Sequence, residues 1–483
     1  MYNDFREFLK ALKEQNEVIK IKAEVDPVFE ITEITERAQK EKGLANKALV
    51  FEKVKGFDIP VITNAFGSSK RMKLALGIKS YTEIAKRIKD LTEISMPQNF
   101  WEKLSYVPKL KEMNDIFPKI VKNAPCQEII IKDNLDVNKF PILHCWPADG
   151  GKYITLPLVF TKNPLNNNIN IGMYRLQIFD QCTLGMHWQI HKDGAKYYNL
   201  KEEKNEKIEV AVAIGAEPVL TYAATAPLPA NVSELLFAGF LRQKRVELTR
   251  CVTVDLLVPA TSEIILEGYV NPYERRLEGP FCDHTGFVCD AAEYPVFHIT
   301  AITHRGNPIY TATIVGQPPC EDAYLGKATE RIFLPILQLI CPEIIDIDLP
   351  VHGVFHNCIL VKIKKRYPAH ARQIANLLWG MNQLCFSKFI VVFDADVDIH
   401  NYKEAFWNIG ANVDPKRDTF LIEGPLDVLD HASPYIGFGS KMGIDATVKW
   451  KDEGITRPYP PKIVMSKEIK ELVDKKWNSY FKA

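Results

Sequence analysis

EIIIKD (128–133), LPLVFTKNP (156–164), IGMYRLQIF (171–179), IEVAVAIG (208–215), EIILEGYV (263–270) and YPVFHITAITH (294–304) are short runs rich in β-branched and aromatic residues, set apart by Pro, Gly and Asn. Such runs read as strands, because branched side chains suit a pleated surface and the turn residues end it. Their repetition across residues 126–318 predicts a central antiparallel sheet or barrel. One helix interrupts it at NVSELLFAGFLR (231–242), where Asn231 is placed to cap and Glu234 to close a capping box.

On the N-terminal side, an amphipathic opening helix, EVIKI (17–21), a helix over ITEITERAQKEKG (31–43) ending at Gly43, ALVFEKV (48–54) and PVITNAF (60–66) make a small α/β unit. Ser80 and Glu83 form a capping-box pattern before the helical YTEIAKRIKDL (81–91). On the C-terminal side, helix ATERIFLPILQLI (328–340), strand CILVKIKK (358–365), helix YPAHARQIANLLWGMNQL (367–384) and the apolar strand FIVVF (389–393) resemble half of a doubly wound sheet. The fold class is therefore mixed α/β and β. Its expected divisions are 1–125, 126–318, 319–450 and a charged helical tail at 451–483, set off by Pro458, Pro460 and Pro461 and suited to docking on another subunit.

A chain of 483 residues with 46% hydrophobic and 25% charged residues is a multidomain globular protein. With 61 Lys plus Arg against 60 Asp plus Glu it has no field to hold a polyanion, so nucleic acid is not an expected partner. Ten scattered cysteines without a C-x-x-C pair fit reduced thiols in a cytoplasm. The charged start is no signal peptide, and the most apolar stretch is broken by Pro335, Gln338 and Pro342, so no integral membrane segment is expected.

The chemistry-bearing residues concentrate in NIGMYRLQIFDQCTLGMHWQIH (170–191). Asn170, His191 and Glu234 together offer an amide oxygen, an imidazole and a carboxylate, a set suited to manganese or magnesium. Taken singly, each reads better as an ordinary sheet or cap residue. Arg175 follows Asn170 by five positions, which in one ideal strand aims them at opposite faces. A bulge at Gly172, or a loop position for Asn170, would bring both to one pocket. In RRLEGPFCDHTGF (275–287), Glu278 and Asp283 flank a Gly-Pro bend. Buried near Arg175, one would stay ionised while the other holds a proton; exposed, they are ordinary turn acids, with His284 and Thr285 steadying the loop. Asp394, Asp396 and Asp398 after FIVVF mimic the D-x-D cation motif of sugar transferases, or simply solvate a strand end. Lys441 in FGSKMGIDATVKW (438–450) either reaches a phosphate or belongs to a plain turn.

Taken in order, NIGMYRLQ, HWQIHKDG, SELLFAG, EGPFCDHTG and GSKMGIDAT resemble the UbiD decarboxylases over nearly the full length. The resemblance implies an N-terminal α/β domain, a central split β-barrel that binds prenylated flavin mononucleotide, and a C-terminal α/β domain that forms homodimers or homohexamers. It makes Asn170, His191 and Glu234 the ligands of a manganese (or magnesium) ion at the flavin phosphate, with potassium nearby. Met173, Tyr174, Arg175, Gln177, His187, Trp188, Gln189, Lys192 and Asp193 match the flavin-lining stretches, and Lys441 a phosphate contact. Arg175, Glu278 and Asp283 match the catalytic triad, with Asp283 as proton donor, although Cys282 stands where the family usually has Gly. His187 in GMHWQIHKD is closer to the menaquinone-pathway branch than to the ubiquinone-pathway one. The implied reaction is decarboxylation of a prenylated aromatic hydroxy acid in quinone biosynthesis, served by a flavin prenyltransferase and compatible with a peripheral membrane contact. A decarboxylase or carboxylase of a small aromatic acid, a metal-dependent sugar transferase using Asp394 and Asp396, and a non-catalytic assembly subunit are the alternatives.

Overall fold

Phe5, Phe8, Leu9 and Leu12 recur at helical spacing and form the buried face of helix Phe5–Glu14, whose first turn is closed by Asp4 accepting from the Glu7 N–H. The structure, a computed structural model, describes residues 1–40, 46–92, 114–229, 232–457 and 459–481. Asn231, Gly43 and Pro458 lie outside the described residues. In the N-terminal sheet, Val18–Val25 pairs parallel with Ala48–Val54, which pairs antiparallel with Val61–Thr63. The sheet is completed from far along the chain, by Tyr310–Thr311 running parallel to Val61–Thr63. Ser80 caps helix Tyr81–Thr92 in a variant of the expected box: Glu83 accepts from the Ser80 N–H at 3.0 Å, while the Ser80 hydroxyl accepts from Thr82 rather than from Glu83.

The central runs form one nine-stranded sheet. Its hydrogen-bonded order is Tyr153–Ile154, Leu176–Ile178, Thr183–Met186, Ala292–His304, Ile264–Glu278, Ile208–Ile214, Leu158–Lys162 and Ile169–Gly172, with Ile129–Ile131 on the far end of Ala292–His304. Every pair in it is antiparallel. Both ends of the central segment are tied to their surroundings, since Lys119–Ile120 pairs with Glu247–Arg250 and Tyr310–Thr311 joins the first sheet. The apolar side of helix Phe5–Glu14 and residues such as Leu220, Leu241 and Val258 share one core.

The C-terminal sheet has its own core around Ile359, Val361, Ile374 and Ile390. Its order is Ile344–Asp348, Cys358–Ile363, Phe389–Asp394, Phe438–Asp445, Thr419–Pro425. The three inner strands are parallel and both edges antiparallel, and alternate residues of the inner strands feed apolar cores on opposite faces, as expected for part of a doubly wound sheet with antiparallel edges. Helix Glu321–Ile340 leads into it and contains Pro335. The tail helix Lys467–Tyr480 starts at a Ser466 cap and has no buried residue. No helix among the described residues is long and apolar enough to cross a membrane.

Candidate active site

A cavity of about 800 Å³ opens where the central sheet faces helix Glu321–Ile340 and the C-terminal segment. Its central wall carries Asn170, Met173, Tyr174, Arg175, His187, Gln189, His191, Lys192, Asp193 and Glu234, together with Asp283. Asn170 and Arg175 reach this wall without a bulge and without a loop position for Asn170. Strand Ile169–Gly172 ends, residues 173–175 have no regular structure, and Leu176–Ile178 begins a strand with other partners. Gly172 permits the break, because a Cβ there would lie 2.3 Å from the Tyr174 ring that folds back over it.

Glu278 ends the long strand Ile264–Glu278 and is fully buried behind the wall. Arg175 grips it with two bonds, Nε to Oε1 at 2.9 Å and Nη2 to Oε2 at 3.1 Å, and His187 Nδ1 meets Oε2 at 3.0 Å. Burial alone would raise the carboxyl pKa, but the hydrogen bonds from His187 and Arg175 outweigh it and hold the group at about 2. Burial pushes His187 below its ordinary value, so it is neutral at pH 7 and gives its Nδ1–H to Glu278. Nε2 is then a bare acceptor, buried without a partner. The Arg175 guanidinium lies 4.3 Å over the Phe281 ring and 3.4 Å from the Cys289 sulfur.

Beyond Glu278 the chain turns at Gly279 (φ +103) into the ribbon Phe281–Cys282 and Val288–Cys289, with Asp283 in its turn. Asp283 is 3% exposed, and its Oδ1 accepts from the Thr285 N–H at 2.7 Å and the Thr285 hydroxyl at 2.6 Å. Gln177, expected on the flavin side, does not line the cavity. It braces this bend, accepting from the Gly279 N–H at 2.8 Å and donating to the Gly150 carbonyl at 2.9 Å. Cys282 pairs with Val288 in the ribbon; its N–H donates to Asp149 at 2.7 Å, and burial pushes its thiol up to about 12.

Glu234 opens helix Glu234–Arg242, whose first turn is capped by Ser233. Its carboxylate crosses to the strand, accepting from the Ile171 N–H at 3.0 Å and from Asn170 Nδ2 at 3.2 Å. Burial raises it to about 7, and Asn170 Oδ1 is buried with no hydrogen-bond partner among the described residues. An acid without a cationic partner beside an orphaned amide oxygen is a donor set that a divalent cation fits. His191 lies on the same wall, its ring 4.4 Å from that of Phe386.

Besides Gln177, two further expected cofactor contacts lie off the cavity wall. Trp188 is buried behind it, 5.4 Å from the Tyr198 ring. Lys441 is buried on strand Phe438–Asp445 and donates to the Cys385 carbonyl, next to cavity residues Leu384 and Phe386. The D-x-D acids do not converge on a shared site: Asp394 accepts from the Val448 N–H at 2.6 Å and Asp396 pairs with Lys462 at 2.5 Å. The opposite wall carries Asp322, His356 and Asp427, which the sequence reading did not single out. No local motif marks them, because they face the cavity only through the docking of the C-terminal segment.

Three domain families match this chain, described as the N-terminal (residues 9–91), Rift-related (119–318) and C-terminal (323–446) domains of 3-octaprenyl-4-hydroxybenzoate carboxy-lyase. An uncharacterized protein of Archaeoglobus fulgidus is 51% identical over 479 residues, covering 99% of this chain and 98% of its own length. One of Aquifex aeolicus is 48% identical over 478 residues, with the same coverage. Among solved structures, the vanillic acid decarboxylase of Sedimentibacter hydroxybenzoicus in its closed form superposes with a TM-score of 0.86 at 28% identity, over 100% of both chains. HmfF of Pelotomaculum thermopropionicum, a UbiD-class enzyme in complex with FMN, gives 0.79 at 28% identity, over 95% of this chain and 97% of its own. With all three domain matches in order along an α/β fold shared with these enzymes, the chain belongs to the UbiD family of carboxy-lyases.

Proposed function

We propose that this protein removes carbon dioxide from an aromatic acid with a long apolar substituent, a prenylated aromatic hydroxy acid of quinone biosynthesis, using prenylated flavin mononucleotide and a divalent cation. The observation that carries the reading is that Arg175 and His187, on the same cavity wall as Asp283, are both locked to Glu278 buried behind it. HmfF in an evolved dimeric form is described in complex with prenylated FMN, which supports the same cofactor here. Bound in the cavity, that flavin supplies the electron sink which an aromatic ring carbon lacks when its carboxylate leaves.

The chain's own residues divide the proton work. Glu278, held ionised by Arg175 and His187, is no donor near neutral pH; it keeps the guanidinium fixed and charged. Arg175 presents that charge at the cavity, where it orients carboxylates. Asp283, bonded only to neutral Thr285 donors, is the acid that gives its proton to the ring carbon as carbon dioxide departs. Asn170, Glu234 and His191 would hold the manganese or magnesium ion, which supplies positive charge for a flavin phosphate. Leu325, Phe333, Ile336, Leu337 and Ile340 line an apolar wing of the cavity, which supports a prenylated substrate over a small one. Supply of the cofactor by a flavin prenyltransferase, and assembly as a homodimer or homohexamer, belong to the same reading.

Coexpression with a flavin prenyltransferase, followed by absorbance and mass of the bound ligand, tests the cofactor. Ordinary flavin alone in an active enzyme overturns it. Carbon dioxide release from prenylated dihydroxynaphthoate or hydroxybenzoate is then compared with release from vanillate. Turnover of vanillate alone keeps the reaction class and overturns the prenylated substrate.

A further inference from the structure

The turn that carries Asp283 is held from the opposite side of the cavity. His284, the next residue, meets His356 of the C-terminal segment with Nε2 to Nε2 at 2.8 Å, across 72 positions of sequence. At that distance one nitrogen must carry a hydrogen and the other must be bare, so the contact is a directional N–H···N bond. The His284 ring is also flanked by Phe355 at 5.4 Å. On the other side of the same turn, Phe287 packs on His431 at 4.0 Å.

The backbone before His356 is shaped for this contact. Val354 and Phe355 both lie in the left-handed region, with φ of 54 and 28 degrees. A β-branched residue and a bulky ring in succession there are costly and persist where the surroundings demand them. The Phe355 ring fits because helix Glu321–Ile340 has Gly326 opposite, where a Cβ would come within 2.8 Å. Ser387 donates to the His356 carbonyl at 2.7 Å, and the Lys388 and Phe389 N–H groups donate to the Asn357 carbonyl, fastening the loop to an inner strand. Asp322 faces His284, while Lys192, Asp427 and Asp430 face His356.

We propose that His356 is a positioning residue for the proton donor: its hydrogen bond to His284 clamps the 283–287 turn and fixes where Asp283 stands in the cavity. This rests on the reading of Asp283 as the donor. His356→Phe removes the bond, whereas His356→Gln keeps a side-chain donor and acceptor for His284.

In cofactor-loaded enzyme, His356→Phe is expected to lose roughly tenfold to 100-fold in kcat with KM nearly unchanged, the scale of a misplaced reacting group. His356→Gln is expected to stay within about threefold, and His284→Phe combined with His356→Phe to be no worse than either alone. Hydrogen–deuterium exchange of the 283–287 amides in the cofactor-free protein gives an independent readout, faster in the Phe variant and unchanged in the Gln variant. If His356→Phe does not fold, His284→Phe removes the same bond from the other side. Unchanged kcat and unchanged exchange in the Phe variants overturn the proposal, as does a rise in KM alone, which marks a direct substrate contact. Full turnover in Asp283→Asn overturns the donor assignment instead, and the exchange measurement still decides the clamp.

Discussion

Replacing Glu278 with Gln removes one charge from a fully buried network and keeps its shape. The carboxyl pKa falls from an ordinary 4.5 to about 2 in the folded protein. At about 1.4 kcal/mol per unit, that depression makes the ionised group worth ~3 kcal/mol of stability at neutral pH. A similar figure, about 3–5 kcal/mol, follows from leaving the buried Arg175 without its counter-charge. The sign is fixed by the direction of the shift. A depressed acid contributes fully above its unfolded pKa and loses the contribution as pH falls through the folded one. The gap between wild type and Glu278→Gln in urea unfolding is therefore expected to hold steady from pH 8 to 5 and to shrink between about 4.5 and 2. Turnover of loaded enzyme is expected to fall on the order of 100-fold or more, because Arg175 loses the partner that aims it. A gap under about 1 kcal/mol at pH 7, or one that widens in acid, refutes the reasoning.

Gly185→Ala places a Cβ 3.0 Å from the Glu278 Cγ and 2.9 Å from the Phe179 ring; turnover is expected to drop roughly tenfold with secondary structure by circular dichroism intact. Asn170→Ala removes the orphaned amide oxygen beside Glu234, and manganese affinity followed by electron paramagnetic resonance is expected to weaken on the order of tenfold. His400 sits between Asp346 and Asp348, whose hydrogen bonds raise it to about 9. Its stabilisation is present in full below its ordinary pKa of 6.5 and lost as pH rises through about 9, so the melting temperatures of wild type and His400→Gln are expected to converge above pH 9. Asp394, whose carboxylate accepts from the Val448 N–H away from the cavity, is expected to tolerate Asp394→Asn with turnover unchanged; a large loss would revive the sugar-transferase reading.

What the sequence made legible is what local physics writes. IEVAVAIG and EIILEGYV were readable as strands because nearly every side chain in them is buried, and they pair with each other residue for residue from Ile208↔Val270 to Ile214↔Ile264. The Ser80 cap was readable because its partners lie within three positions. The strand break between Gly172 and Leu176 was not, since residue spacing says where side chains point only if the strand continues. Gln177 sits amid flavin-like motifs yet spends its amide on the Gly279 bend, a partner 102 positions away. Likewise the antiparallel edges of the C-terminal sheet depend on which strand returns where, and period alone does not carry that information.

The arrangement also puts the two acids of the Gly-Pro bend in different surroundings although only five positions separate them. Glu278 ends a strand and points inward, where a bidentate guanidinium and an imidazole N–H satisfy its charge. Protonating it would leave Arg175 without its counter-ion in a low-dielectric interior, which keeps the group ionised. Asp283 lies past the bend, where its Oδ1 accepts from the Thr285 N–H and the Thr285 hydroxyl. On the proposed reading Asp283 is the proton donor, and its turn is held from two sides. The Gln177 brace on Gly279 holds one end of that bend, and the histidine contact from the C-terminal segment holds the other. Separating the C-terminal segment would take away only the His356 contact of that turn, whereas the bonds of Glu278 to Arg175 and His187 lie wholly within the central segment, so on the proposed reading activity can fall with the buried ion pair unchanged.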